Sequence, residues 1–134
     1  MKTIIAGSRD VYPEEIQMIH ECLDDYHKRY PIAEVVSGTA RGIDTIGEEW
    51  AKKNGIPVTR MPADWDRHGV KAGPIRNKQM VHYADRAIVF WDMESNGTRN
   101  LIDLTETADK PITIWPLTVP GYLGPKPSDD KVIS

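Results

Sequence analysis

Five times the chain runs from a short apolar stretch into a turn rich in Gly, Ser, Asp or Arg, and four of those turns open into a helical pattern. The runs are Thr3 to Asp10, Ala33 to Asp44, Pro57 to Asp66, Arg86 to Thr98 and Pro111 to Leu117. Strands that alternate with helices build a parallel sheet covered on both faces. The pattern therefore predicts an α/β three-layer sandwich around a five-stranded parallel sheet. Right-handed crossovers give the strand order 3-2-1-4-5. In such a sheet ligands bind outside the carboxyl ends of the strands, and the unusual residues of this chain gather at those ends.

The helices can be placed from their boundaries. The first is expected from Pro13 to Tyr30: Pro suits the first helical position, and Glu14 and Glu15 suit the positive end of the helix dipole. Ile16, Ile19, Leu23 and Tyr26 make its inward stripe. The second begins near Gly42 and stops at Asn54-Gly55, with Ile43, Ile46, Gly47 and Trp50 inward. The third opens at Gly73-Pro74 and ends near Ala84. The fourth begins near Thr98 and ends by Asp109-Lys110, with Leu101, Leu104, Thr105 and Ala108 inward. Strands one, two and four are almost wholly apolar, as strands buried on both faces must be. Strand three carries Thr59 and Arg60 and reads as an edge. After Leu117 the pattern stops, so residues 1–117 are expected to form one domain and 118–134 an extended Pro/Gly-rich tail, packed near Tyr122 and Leu123.

The 134 residues suit a single domain. A net charge of −3 argues against broad nucleic-acid binding, which needs a basic face, so nucleic acid is not expected as a partner. Cys22 is the one cysteine, which excludes a disulfide framework and a cysteine-cluster zinc site. It is expected as a small buried hydrophobe. No run reaches the length of a membrane span, and the N-terminus enters a strand with no signal-peptide pattern, so a cytoplasmic protein is expected. No metal and no cofactor is called for, and His68 lacks a partner at metal-ligand spacing. The helices are apolar enough to permit a homo-oligomer.

Four loops carry the chemistry. The first is Gly7-Ser8-Arg9-Asp10, where the glycine permits a tight turn and Ser8 and Arg9 can bind a phosphate. In the second, Ser37 to Asp44, small residues such as Gly38 and Gly42 let the backbone approach a ligand at a helix N-terminus, and Arg41 adds a cation. It is neither a P-loop nor a dinucleotide fingerprint. Asp44 either complements the helix dipole or accepts from a ribose hydroxyl. The third, Ala63 to Asn77, is long for a βα connection and reads as a functional loop. It holds Asp64, Trp65 as a stacking surface or a core lid, and Arg76 and Asn77 in a first helical turn, where a cation opposes the dipole and needs an anion to explain it. The fourth, Trp91 to Asn100, offers Gly97 and Thr98 to a phosphate, although Thr98 alone would also serve as an N-cap.

Gly-Ser-Arg-Asp after strand one, Ser-Gly-Thr-Ala-Arg-Gly-Ile-Asp after strand two, Pro-Ala-Asp-Trp with Ala-Gly-Pro-Ile-Arg-Asn, and Ser-Asn-Gly-Thr together resemble the YspA-like branch of the SLOG superfamily, over about Met1 to Pro116. That superfamily also includes the DNA-processing protein DprA and the LOG phosphoribohydrolases. The resemblance implies a Rossmann-like fold and a site for a nucleotide or nucleotide-derived ligand. The residues it carries over are Gly7, Ser8, Arg9, Ser37, Gly38, Arg41, Gly42, Asp44, Asp64, Arg76, Asn77, Gly97 and Thr98; Trp65 joins them as the stacking surface.

One departure bears on activity. LOG hydrolases carry Pro-Gly-Gly-x-Gly-Thr-x-x-Glu. Here Met93 to Asn96 replace its first four residues and Leu101 stands at the Glu position. Asp103 and Glu106 follow, but helical spacing does not aim them at that place. DprA's larger architecture is also lacking. The expected function is therefore binding, as a sensor or sequestering module. The alternative is a hydrolase of an N-glycosidic or phosphoester bond, with Asp44 or Asp64 as base or ribose anchor and Arg9, Arg41 and Arg76 on phosphate.

Overall fold

A computed structural model describes residues 1–117; the expectations for the tail, with Tyr122 and Leu123, lie outside the described residues. Five strands form one sheet, β1 (Lys2–Gly7), β2 (Glu34–Ser37), β3 (Val58–Arg60), β4 (Arg86–Trp91) and β5 (Ile112–Pro116). Every pair is parallel and the order is β3-β2-β1-β4-β5. Consecutive side chains on a strand face opposite ways, and the core divides accordingly. Ile5, Val35, Ile88 and Phe90 meet Ile19 and Leu23 of α1 (Pro13–Arg29) and Ile43, Ile46 and Trp50 of α2 (Ile43–Lys53). Ile4, Ala6, Val36, Val89 and Ile114 meet Met80 and Val81 of α4 (Ala72–Tyr83) and Leu101 and Ile102 of α5 (Asn96–Thr107). Burying each such aliphatic chain stabilises the fold by about 2 kcal/mol. All six residues of β4 are buried, as its central, doubly covered place demands.

Helix boundaries follow local chemistry. Pro13 opens α1, and Glu15 accepts the Tyr12 N–H at 3.2 Å. Past the end of α2, Gly55 takes φ +67, a left-handed turn that glycine adopts without steric cost. At the amino edge of the sheet the buried Arg86 donates to Thr3 Oγ1 at 2.8 Å and to the Tyr30 and Pro31 carbonyls at 2.8 and 3.0 Å. That guanidinium ties β1, β4 and the end of α1 together and takes no part in the opposite, carboxyl edge.

Several expectations are corrected. Ile16 is exposed; it lies in the first turn of α1, ahead of the buried positions Ile19 and Leu23. Ala108 is exposed because it is the C-cap of α5, and Ile102 takes the inward place. Helix α5 starts at Asn96 with Ser95 as its N-cap, so Thr98 lies inside the first turn. The segment before α4 is not an open loop: α3 (Trp65–His68) leads into a 3-10 turn (Gly69–Lys71). Asp64 accepts the Arg67 N–H at 3.2 Å and so starts that short helix, and Gly69 at φ +56 ends it. Cys22 is half-buried rather than buried, with its sulfur 3.6 Å from that of Met18. Burial, then Asp25 and Glu21, pushes its thiol pKa up and keeps it unreactive.

Candidate functional site

Two adjoining cavities of about 500 and 410 Å³ open at the carboxyl edge of the sheet. Arg9, Ala40, Trp65 and Arg76 line both, so they form one cleft with two lobes. Each lobe is large enough for a small ligand. The larger lobe is walled by Gly7, Asp44, Asn77, Gly97 and Thr98, the smaller by Gly38 and Arg41. The cleft thus joins β1, the β2–α2 turn, α3, α4 and the start of α5.

Arg76 and Asn77 brace this arrangement. Arg76 donates through Nη1 to the Gly38 carbonyl and through Nε to Asn77 Oδ1 at 3.0 Å. Asn77 is buried, and its amide donates to the Gly97 carbonyl at 3.1 Å and to Asn100 Oδ1 at 3.0 Å. Because α4 begins at Ala72, these neighbouring side chains lie in its second turn rather than its first, and they tie the β2–α2 turn and α5 to that helix. The Nη2 of Arg76 has no bond among the described residues. Arg9 makes no hydrogen bond or ion pair among them either. In α5 the first helical bond runs from the Arg99 N–H to the Ser95 carbonyl at 3.1 Å. The N–H groups of Asn96, Gly97 and Thr98 precede it, and these residues line the larger lobe. Such a helix start favours an anion.

Asp44 is the one carboxylate lining either lobe among the described residues. It is 5% exposed, and its Oδ2 accepts the Ala40 N–H at 3.1 Å. Burial pushes its pKa up from 3.8 to about 6, against the lowering pull of the Ala40 N–H, Arg76 and Arg9; Glu48 adds to the rise. The guanidinium of Arg76 is shifted the other way by its burial, a pull that Asp44 opposes and Arg9 reinforces.

Other expected site residues serve the scaffold. Ser8 is fully buried: its N–H donates to the Phe90 carbonyl at 3.0 Å and its hydroxyl accepts the Asp92 N–H at 2.8 Å. Ser37 is also buried, donating to Glu48 at 2.5 Å and accepting the Thr39 N–H at 3.1 Å. Both hydroxyls hold loop to loop. Gly42 does not line the cleft, yet it must be glycine: φ is +79, and a Cβ would stand 2.4 Å from the Arg9 carbonyl oxygen. Gly7 allows a similar approach, with Phe90 O only 1.9 Å from a built Cβ. Asp64 is an exposed N-cap outside both lobes. Arg41 points to the surface, 3.3 Å from Asp10. With side chains 72% and 70% exposed, that pair contributes at most about 1 kcal/mol. Trp65 stands at the rim, 52% exposed.

Sequence reasoning missed Asn100 as the partner of Asn77, and Glu48 as the group that holds Ser37 and, at 3.2 Å, Arg60. The spacing of Asp44 and Glu48, one helical turn apart, carried a signal that both face the β2–α2 turn. Leu101, at the LOG glutamate position, lines the larger lobe with an apolar side chain, and Asp103 and Glu106 are exposed away from it. Among the described residues there is no group of His, Cys, Asp and Glu that could hold a metal ion, and no helix long and apolar enough to cross a membrane.

The sheet order and the cleft at its carboxyl edge define a Rossmann-like α/β protein. The model of the YspA, cpYpsA-related SLOG family matches residues 1–68, and the chain belongs to that family. The Gene 61 protein of Mycobacterium phage D29 is 35% identical over 117 residues, which cover 83% of this chain and 93% of that protein. DNA processing protein A (DprA) from Streptococcus pneumoniae has a similar fold, with a TM-score of 0.69 at 17% identity over 90% of this chain. DprA from Helicobacter pylori, described for its single-stranded DNA binding mode, gives a TM-score of 0.64 at 20% identity, again over 90% of this chain. The chain spans 51% and 67% of those two DprA chains. The expectation against a nucleic-acid partner is corrected by the second of these. That protein, similar in fold to this chain, binds single-stranded DNA, so the net charge of −3 is no ground for excluding such a partner.

Proposed function

We propose that the protein binds a nucleotide or nucleotide-derived molecule in the two-lobed cleft and holds it without cleaving it, as a sensor or sequestering module. The observation that carries this reading is the meeting of Arg9, the free Nη2 of Arg76 and the first N–H groups of α5 in one cavity with Trp65 at its rim. Phosphate belongs at the start of α5 and Arg9, by charge-assisted hydrogen bonds. The base belongs against Trp65, whose half-exposed indole offers a stacking face. Family membership supports a nucleotide-related ligand, and the DprA fold extends the class to nucleotides within a single strand.

The raised pKa of Asp44 favours a second reading, a hydrolase in which that carboxyl acts as general acid or base. Against it stands the apolar Leu101 where LOG hydrolases keep their glutamate. Mass spectrometry of nucleotides that co-purify with the protein, followed by incubation with the best binder, separates the two. The binding reading requires the ligand to be recovered intact; turnover of it, lost in Asp44→Asn, establishes the hydrolase instead. Arg9→Ala should weaken that binder by about 1.5–3 kcal/mol, and calorimetry showing unchanged affinity would remove Arg9 from the site.

A further inference from the structure

Asp44 is costly where it stands. A buried carboxylate is normally offset by a paired cation, yet no ion pair to Asp44 forms among the described residues. Its structural task is small: Oδ2 accepts one N–H, from Ala40, and bends the β2–α2 turn. An asparagine carbonyl would do the same without a charge. The second oxygen, Oδ1, has no partner among the described residues. Every fully buried side-chain oxygen and nitrogen in the protein's described part is satisfied, so Oδ1 is an atom reached from the cavity that Asp44 lines. A negative oxygen at the wall of an anion-binding cleft repels phosphate. It needs a hydrogen-bond donor on the ligand.

The strand order says which donor. Along the carboxyl edge from β3 to β4, Trp65 follows β3, Asp44 sits on the helix between β2 and β3 and against the end of β1, and the start of α5 follows β4. With neighbouring strands about 4.8 Å apart, these lie along a span of about 14 Å. A base on Trp65 and a phosphate at α5 leave the sugar between them, beside Asp44. Resting on the binding reading above, we infer that Asp44 accepts a hydrogen bond from a ribose hydroxyl of the bound nucleotide and is the residue by which the site prefers ribonucleotides to deoxyribonucleotides. The 2′-hydroxyl is the group that distinguishes the two sugars, and a site built around a hydroxyl rejects the analogue that lacks it, because its own polar atom is left unpaired.

The charged groups facing Asp44 are Arg9 from the β1–α1 turn, Glu48 from α2 and Arg76 from α4. The acceptor role needs the ionised carboxylate, so the sugar preference holds above about pH 6 and fades as pH falls through it.

The test titrates the full chain with AMP, CMP, GMP and UMP and with the 2′-deoxy and 3′-deoxy counterparts of each, by calorimetry near neutral pH. The expected result is at least tenfold weaker binding of the 2′-deoxy forms, with the difference abolished in Asp44→Ala, which leaves no polar atom for the hydroxyl. In wild-type protein the fading of that preference below about pH 6 reads Asp44 without a substitution, so an unstable variant does not spoil the test. Equal affinity for ribo and deoxy forms overturns the inference and leaves the binding reading standing. A preference that grows as pH falls also overturns it, since a neutral Asp44 would then be donating to the hydroxyl rather than accepting from it. If no mononucleotide of either kind binds, the binding reading itself fails in this form and the inference falls with it.

Discussion

Gly42 and Gly97 each lie at the start of a helix beside the cleft, and a methyl group has opposite consequences at the two. At Gly42 it meets the Arg9 and Ser8 carbonyl oxygens at 2.4 and 2.5 Å in a left-handed backbone. Gly42→Ala should cost more than about 2 kcal/mol. At Gly97 a Cβ meets nothing within 4 Å. Gly97→Ala should leave stability unchanged or raise it by up to about 1 kcal/mol, since alanine is the better helix former, while narrowing the larger lobe. Urea unfolding of the two variants checks the contrast; similar losses in both would show that the α5 start is more tightly packed than its surroundings indicate. Asp44 gives a pH-dependent expectation. Its carboxyl titrates at about 6 in the fold against 3.8 ordinarily, so between those values the native state holds more protons than the unfolded chain. The contribution of Asp44 to stability therefore falls as pH rises from about 4 to about 6 and is level above that range. Asp44→Asn keeps an acceptor for Ala40 and should be more stable near pH 7 by up to about 3 kcal/mol, with the gap closing towards pH 4. Denaturant titrations across that range read the gap, and a variant less stable than wild type at neutral pH would contradict it.

At the scale of elements, side-chain hydrogen bonds from the second turn of α4 tie that helix to the β2–α2 turn and to α5 across the cleft. Asn77 on α4 carries the Gly97 carbonyl, Asn100 and Arg76 at once. Asn77→Ala leaves those partners without their shared amide and should cost about 1–3 kcal/mol, with a loss of ligand affinity larger than that of an exposed variant such as Lys78→Ala. An effect on stability alone would mean that α5 keeps its place without the amide. The elements themselves were legible because their signals are local: Pro13, Asn54-Gly55 and the apolar runs each mark a boundary or a buried strand. The roles of Ser8, Ser37 and Asp64 were not. Whether a hydroxyl at a strand end turns outward to a ligand or inward to a neighbouring loop depends on the loop across the sheet, Asp92 for Ser8 and Glu48 for Ser37. The helical turns of residues 65–71 were hidden for a related reason. Their stripe buries nothing, so no periodicity announced them, and capping by Asp64 decides the conformation instead.

On the scale of the whole molecule, the strand order places the most N-terminal strand in the middle. Thr3 of β1 pairs with Arg86 of β4, 83 positions later. A ribosome adding about 5–20 residues per second needs roughly 4 to 17 seconds to supply that partner. For that time β1, with Ile4, Ile5 and Ala6 and no proline, presents an unpaired apolar edge, the kind that templates association with other chains. A fragment ending before Arg86 can form the β1–β2–β3 half with α1 and α2 but cannot close it. Residues 1–85 made alone should therefore self-associate, as light scattering would show, whereas residues 1–117 should not. A monomeric fragment would mean that β1 stays covered by some other means. The central strand on which the cleft is built is thus open on one side until β4 has been made.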